Sequence, residues 1–184
     1  MTSQELQYFM DVLREVRSGE KSQFISTKQY IQHGKTSVYR HSVSVAYISY
    51  RLAKKWNWKI DERALLRGAL LHDYFLYDWH EKIPERRLHG FYHPGRALKN
   101  ADADFELGDV ERDIIKNHMF PMTIYLPRHR ETLLVSMVDK WISTIETFRR
   151  RGKKTTGKSE IGRRSRGNAK RNTNFTKTYE GTAS

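Results

Sequence analysis

The sequence predicts an all-α fold, and three observations carry that reading. Apolar residues recur at helical spacing along most of the first 148 residues, no stretch alternates with period two for long enough to build a sheet, and start and stop residues bracket the apolar stripes. The chain has 184 residues and no cysteine, which excludes disulfides, thiolate metal sites and thiol catalysis. A chain of this length buries roughly two-thirds of the surface it exposes when unfolded, so its core needs no covalent staple. No apolar run reaches the roughly 18 residues of a membrane span. The segment MTSQELQYFMDVLREV carries acids where a secretory signal needs an apolar stretch. A cytoplasmic location with no membrane contact is the expectation.

Taken in order, Thr2 and Glu5 have capping-box spacing and open a helix with Leu6, Phe9, Met10, Leu13 and Val16 on its stripe. A short helix is expected from Thr27 to His33, stopped by Gly34. From Ser37 to about Trp56, His41, Val45, Ile48 and Leu52 share one stripe. Asp61 caps a fourth helix, on which Leu65, Gly68, Ala69, His72 and Asp73 face alike. Residues 74–92 read as an irregular aromatic segment. A short helix is expected near Pro94, a residue suited to a first turn. Another runs from about Asp109 to His118. The last starts near Pro127, with Val135, Asp139 and Ile142 on one stripe and Leu134, Val138, Trp141 and Ile145 beside it.

The net charge of +13 is unevenly distributed. Residues 149–184 hold twelve Lys/Arg against two acids, whereas residues 1–148 hold 22 against 19. The basic segment has five glycines and few large apolar residues, too few to offset the entropy of ordering it. The expected organisation is a helical domain over 1–148 and a disordered basic tail over 149–184, with weak nucleic-acid contact as the tail's candidate role. Its GKS triplet lacks the upstream glycine and strand of a phosphate-binding loop.

Four of the expected helices turn a metal-capable side chain into their apolar stripe: His41, His72 with Asp73, His118 and Asp139. His93 stands at the start of another. A buried carboxylate is costly without a cation or hydrogen-bond partners, and two of them among several imidazoles make most sense around metal. Any one of these residues taken alone has a plainer explanation, such as His93 capping a helix or His118 at a helix's negative end; the joint pattern is what points to metal.

The runs YRHSVSVAYISYRLA, GALLHDYFLYDW, HGFYHPGRALKNA, IIKNHMFP and SMVDKW resemble the HD-domain superfamily of metal-dependent phosphohydrolases, over about Gly34 to Thr147. The resemblance implies an HD-type helical bundle. It implies one metal held by His41, His72, Asp73 and Asp139, and a second by Asp73, His93 and His118, with Asp73 bridging. The H…HD…H…H…D order is similar to that of bacterial hydrolases of dinucleoside polyphosphates and of cyclic-dinucleotide phosphodiesterases. The latter carry HDxxK, where this chain has Leu76, and a GYP motif, where it reads MFPMT; both departures argue against that activity.

The activity so implied is hydrolysis of a phosphate ester or anhydride, of nucleotide type, by a metal-bound hydroxide. Oxygen and imidazole donors without thiolate suit two ions of Fe, Mn, Ni, Co or Mg. Asp73 is the central catalytic group. Lys140 and Arg96 are the candidate phosphate-facing cations, ahead of Lys116 and Arg40. His89 and His80 lie in the aromatic segment expected to roof the pocket, Asp78 is a candidate proton donor, and His33 and His129 read as surface residues. Two other functions stay open: a di-iron oxygenase on the same ligands, and a non-catalytic HD module with a nucleic-acid-binding tail.

Overall fold

The computed structural model describes residues 1–33, 35–77 and 89–167, without the side chains of residues 33, 89–91 and 149–167. Helix α1 (Ser3–Ser18) opens with the capping box in place. The Glu5 N–H donates to Thr2 Oγ1 at 3.2 Å and the Thr2 N–H donates to the Glu5 carboxylate at 2.7 Å. The helix buries Phe9, Val12, Leu13 and Val16, while Leu6 and Met10 are 46% and 41% exposed. The buried stripe is thus rotated from the expected one, because Val12 and not Met10 meets the body.

In place of the short helix expected over Thr27–His33 the chain forms a 3-10 turn (Phe24–Gln29) and a small hairpin, β1 (Ile31–His33) against β2 (Thr36–Ser37). Thr27 Oγ1 donates to the Phe24 carbonyl and closes the turn tightly. Tyr30 then goes extended, at φ −94° and ψ 133°, ending helical geometry ahead of β-branched Ile31.

Helix α2 (Val38–Lys55) starts on Ser37, whose hydroxyl accepts from the Arg40 N–H. Its buried face is Val38, His41, Ser42, Val45, Ala46, Ser49, Tyr50 and Ala53. Small residues line it, and they let neighbouring backbones come close. Helix α3 (Glu62–Leu71), capped by Asp61, is buried at every position from Ala64 to Leu71. Gly68 is required there: a Cβ would stand 2.6 Å from Ile114 Cδ1 and 3.0 Å from Ile114 Cβ on the next helix but one. Just beyond α3, Leu76 has a left-handed φ of 53° and packs its side chain against the core.

Helix α4 spans His89–Asp104, so Pro94 lies inside it and not at its start. Pro94 cannot donate to the carbonyl four residues back, but the bond is lost so near the helix N-terminus that the helix persists upstream of it. Helix α5 (Asp109–Asn117) begins with the Glu111 carboxylate accepting from the Gly108 N–H. Helix α6 (Arg130–Gly167) starts three residues later than expected. Its start is stabilised from outside by buried Asp113, which accepts from the Arg128 and His129 N–H groups and from Thr132 Oγ1. Leu134, Val135, Val138 and Ile142 are buried, whereas Trp141, expected beside them, is 54% exposed.

By internal contacts the chain divides into Met1–Thr147 and Phe148–Ser184. In the second unit the backbone is helical as far as Gly167, where composition pointed to an unstructured arm. Extending an existing helix avoids the cost of nucleating one. Residues 168–184 lie outside the described residues. Among the described residues no helix is long and apolar enough to cross a membrane.

Candidate metal centre

Three helices and the C-terminal ends of two more converge on a single buried cluster. α2 supplies His41 in its first turn, and His72 and Asp73 follow directly on the last residue of α3. α4 supplies His93, the residue after α5 is His118, and α6 supplies Asp139. All six residues are buried, none more than 7% exposed. The six expected from the sequence are therefore brought together.

The cluster has two sides that meet at Asp73. On one side His41 Nε2 lies 3.0 Å from Asp139 Oδ1 and 3.7 Å from Asp73 Oδ2, and His72 Nε2 lies 3.2 Å from Asp73 Oδ2 and 3.8 Å from Asp139 Oδ1. On the other, His93 Nε2 and His118 Nε2 lie 3.3 and 3.8 Å from Asp73 Oδ1 and 3.0 Å from each other. Each oxygen of one carboxylate thus faces its own pair of imidazoles.

The imidazoles are oriented from behind. His72 Nδ1 donates to the Ala69 carbonyl at 2.8 Å and His118 Nδ1 to the Ile115 carbonyl at 2.9 Å. Both carbonyls sit three residues back in the last turn of the helix, where they lack an intrahelical partner. This fixes the tautomer and turns each Nε2 into the cluster. His41 Nδ1 lies 3.1 Å from Glu146 Oε2, a carboxylate–imidazole pair of the same kind. Ser143 Oγ donates to Asp139 Oδ1 at 3.2 Å, and Gln32 Nε2 donates to Asp73 Oδ2 at 2.5 Å. Glu146 and Gln32 escape sequence reasoning. Glu146 has a usable signal, lying two turns after Asp139 on the same helix face; Gln32 has none, since it comes from the hairpin.

Electrostatics divides the cluster along the same line. Burial disfavours a charged ring at His41, but hydrogen bonds to Asp139 and Glu146 outweigh it and raise the pKa to about 9. At His72 burial is likewise overcome, first by the Asp73 charge, and the pKa rises to about 10. His118 goes the other way, to about 3, through burial and then the charges of His72 and His93. Asp73 and Asp139 are held well below the usual carboxylate range: their imidazole neighbours overcome the cost of burial.

The residues fit a divalent cation. His72 Nε2 and Asp73 Oδ1 are buried and make no hydrogen bond, and buried polar atoms left unpaired are costly unless something else occupies their lone pairs. Two triads, His41–His72–Asp139 and His72–Asp73–His118, have donor atoms within 4.8 Å of one another. The donors are imidazole and carboxylate, borderline to hard, which suits divalent ions.

The candidate cations fare differently. Lys140 was expected to face phosphate, yet its Nζ donates to the His118 carbonyl at 2.9 Å, to Ser136 Oγ at 2.9 Å and to the Ser136 carbonyl at 3.3 Å. An ammonium has three donors, so Lys140 is a strut between α6 and the end of α5. Burial lowers its pKa, partly offset by Asp139. Arg96 is exposed one turn after His93, its guanidinium 5.1 Å from the Tyr77 ring, in a concavity of about 450 Å³ lined with Tyr92, Gly95 and Lys99. Lys116 stacks over Tyr125 in a second concavity of about 560 Å³ that no cluster residue lines, and Arg40 is exposed.

Of the aromatic segment, Tyr74 and Phe75 are buried, and Phe75 packs edge-on to His93 with centroids 6.0 Å apart. Asp78, His80 and the rest of the expected roof over 78–88 lie outside the described residues, as do the side chains of His33 and His89. His129 is half-buried and lines the second concavity, away from the cluster.

The family model described as HD domain matches residues 38–144, more than half of the chain. Searches of curated proteins and of solved structures each returned no match. The matched segment contains all six clustered residues, and the chain belongs to the HD-domain family, most of whose members are metal-dependent phosphohydrolases.

Proposed function

We propose that this protein is a metal-dependent phosphohydrolase that cleaves a phosphate ester or anhydride, of nucleotide type, with two divalent ions of Fe, Mn, Ni, Co or Mg. The observation that carries the reading is Asp73, whose Oδ2 faces His41 and His72 while its Oδ1 faces His93 and His118. His41, His72, Asp73 and Asp139 would hold one ion, and Asp73, His93 and His118 the other. Such a pair, when bound, supplies Lewis acidity toward a phosphoryl oxygen and makes water acidic enough to attack at neutral pH.

The chain's own residues do the rest. The Ala69 and Ile115 carbonyls hold His72 and His118 in the tautomer that leaves Nε2 free. Arg96 and Lys99, exposed on α4 beyond His93, offer fixed positive charge to the phosphates of an approaching substrate, and exposed Tyr92 offers a face for a base. Lys140 keeps the end of α5, and with it His118, in register with α6. The test is metal analysis of the purified protein followed by a nucleotide and phosphate-ester panel with Mn²⁺ added. Stoichiometric metal and release of inorganic phosphate or nucleoside monophosphate are expected. A metal-replete protein inert on the whole panel overturns the reading.

A further inference from the structure

We infer that Gln32 is a positioning residue that sets the second metal site through Asp73; this rests on the two-ion reading above. Gln32 lies on β1, outside the segment matched by the family model, and is 6% exposed. Its Nε2 donates to Asp73 Oδ2 at 2.5 Å. A carboxylate only accepts, so the partner fixes which way the amide faces.

The two sides of the centre depend on Asp73 unequally. The His41–His72 side has a second carboxylate, Asp139, held by His41 and Ser143. The His93–His118 side has only Asp73 Oδ1 as an anionic donor among the described residues. Rotation of the Asp73 carboxylate would cost the first side one of its two anions and the second side the one that the described residues give it. Asp73 Oδ1 faces imidazoles that would themselves be ligands, His93 at 3.3 Å and His118 at 3.8 Å. Among the described residues the side-chain donor that holds the carboxylate from outside the imidazole cluster is Gln32, at Oδ2. The hairpin is thereby coupled to the ion it lies farther from in ligand order.

The experiment is a stepwise Mn²⁺ titration of the full chain, metal-stripped, as wild type, Gln32→Leu and Gln32→Met. Free Mn²⁺ is followed by electron paramagnetic resonance, with the coupled signal of paired Mn²⁺ as a second readout. Removing a hydrogen-bond partner of a metal ligand weakens binding about 10–100-fold. The second ion's dissociation constant is expected to rise at least tenfold in both variants, the first to stay within about threefold, and the coupled signal to fade. Gln32→Met, unbranched and closer in shape, covers the case in which the Leu variant does not fold. Equal weakening of both ions, or an unchanged second constant beside a lowered melting temperature, makes Gln32 a hairpin anchor and overturns the inference. Wild type taking up one ion per chain overturns the two-ion reading itself, a result visible before any variant is made.

Discussion

The His41–His72 side and the His93–His118 side of the centre share one carboxylate and differ in nearly everything else. The first is surrounded by anions: Asp139, Glu146 and Asp73 raise His41 to about 9, and Asp73 and Asp139 raise His72 to about 10. Among the described residues the second has one carboxylate oxygen for two imidazoles, and His118 drops to about 3. In the absence of metal the first side therefore stores protons at neutral pH, whereas His118 is already neutral with its lone pair available. Uptake of a cation on the first side is therefore an exchange for protons, while on the second His118 offers a nitrogen that carries no proton to displace.

Removing the shared group tests both sides at once and gives the largest effect. Asp73→Ala is expected to abolish metal content and hydrolysis, since it takes one donor from each side; elemental analysis showing two ions per chain in that variant would break the comparison. Next in size is the double variant His93→Ala, His118→Ala. Its metal content should fall from two ions to one and its turnover by orders of magnitude, with the far-UV helical signal kept. Wild-type turnover in the double variant would mean that the second side takes no part.

A pH series sharpens the contrast without any mutation. His41 and His72 have folded pKa values above the unfolded 6.5, so their contribution to metal-free stability is full below about pH 6.5 and is lost as pH rises through about 9 to 10. His118, depressed to about 3, contributes above 6.5 and loses that contribution as pH falls from 6.5 toward 3. Metal-stripped protein should melt highest near pH 6.5. The first ion's apparent affinity should rise by about tenfold per pH unit for each proton displaced, up to about pH 9. Calorimetry in two buffers of different ionisation enthalpy reads the released protons directly, and proton-neutral uptake at pH 7.5 would contradict the account.

The smallest effect concerns the packing that sets the two sides apart. Gly68→Ala places a Cβ against Ile114, four residues before His118. Overpacking of about 1–3 kcal/mol, offset by about 1 kcal/mol of better helix propensity, should lower the melting temperature by a few degrees. Loss of second-ion affinity is expected to accompany it, because α5 must move away from α3. A rise in melting temperature would show that the helices are not in firm contact there.

The elements differ in how readable they were for identifiable reasons. Capping signals at Thr2 and Asp61 are local chemistry and mark two helix starts correctly. Stripes were read less well. Leu6, Met10 and Trp141 are large and apolar but exposed, while Ser42, Ser49 and Ala53 are small and buried, because which face is covered depends on neighbours distant in the chain. The hairpin replaced a helix since Tyr30–Ser37 is too short for periodicity to decide. Lys140 illustrates a related limit of sequence spacing. Its position beside Asp139 is legible, but the Ser136 and His118 acceptors that occupy its ammonium are met only once α6 packs on the end of α5.

The sequence by itself determined the helical class and the identity and order of His41, His72, Asp73, His93, His118 and Asp139. Residue type and chain order are enough to say which atoms a metal would want. Only the tertiary structure decided that Asp73 stands between two imidazole pairs, one oxygen to each, that Glu146 and the Ala69 and Ile115 carbonyls orient the rings, and that Gln32 reaches Asp73 across 41 residues. The physical reason is that a ligand's identity is covalent, whereas its direction, its protonation and the donor behind it are set by burial and by contacts between segments that sequence spacing does not encode.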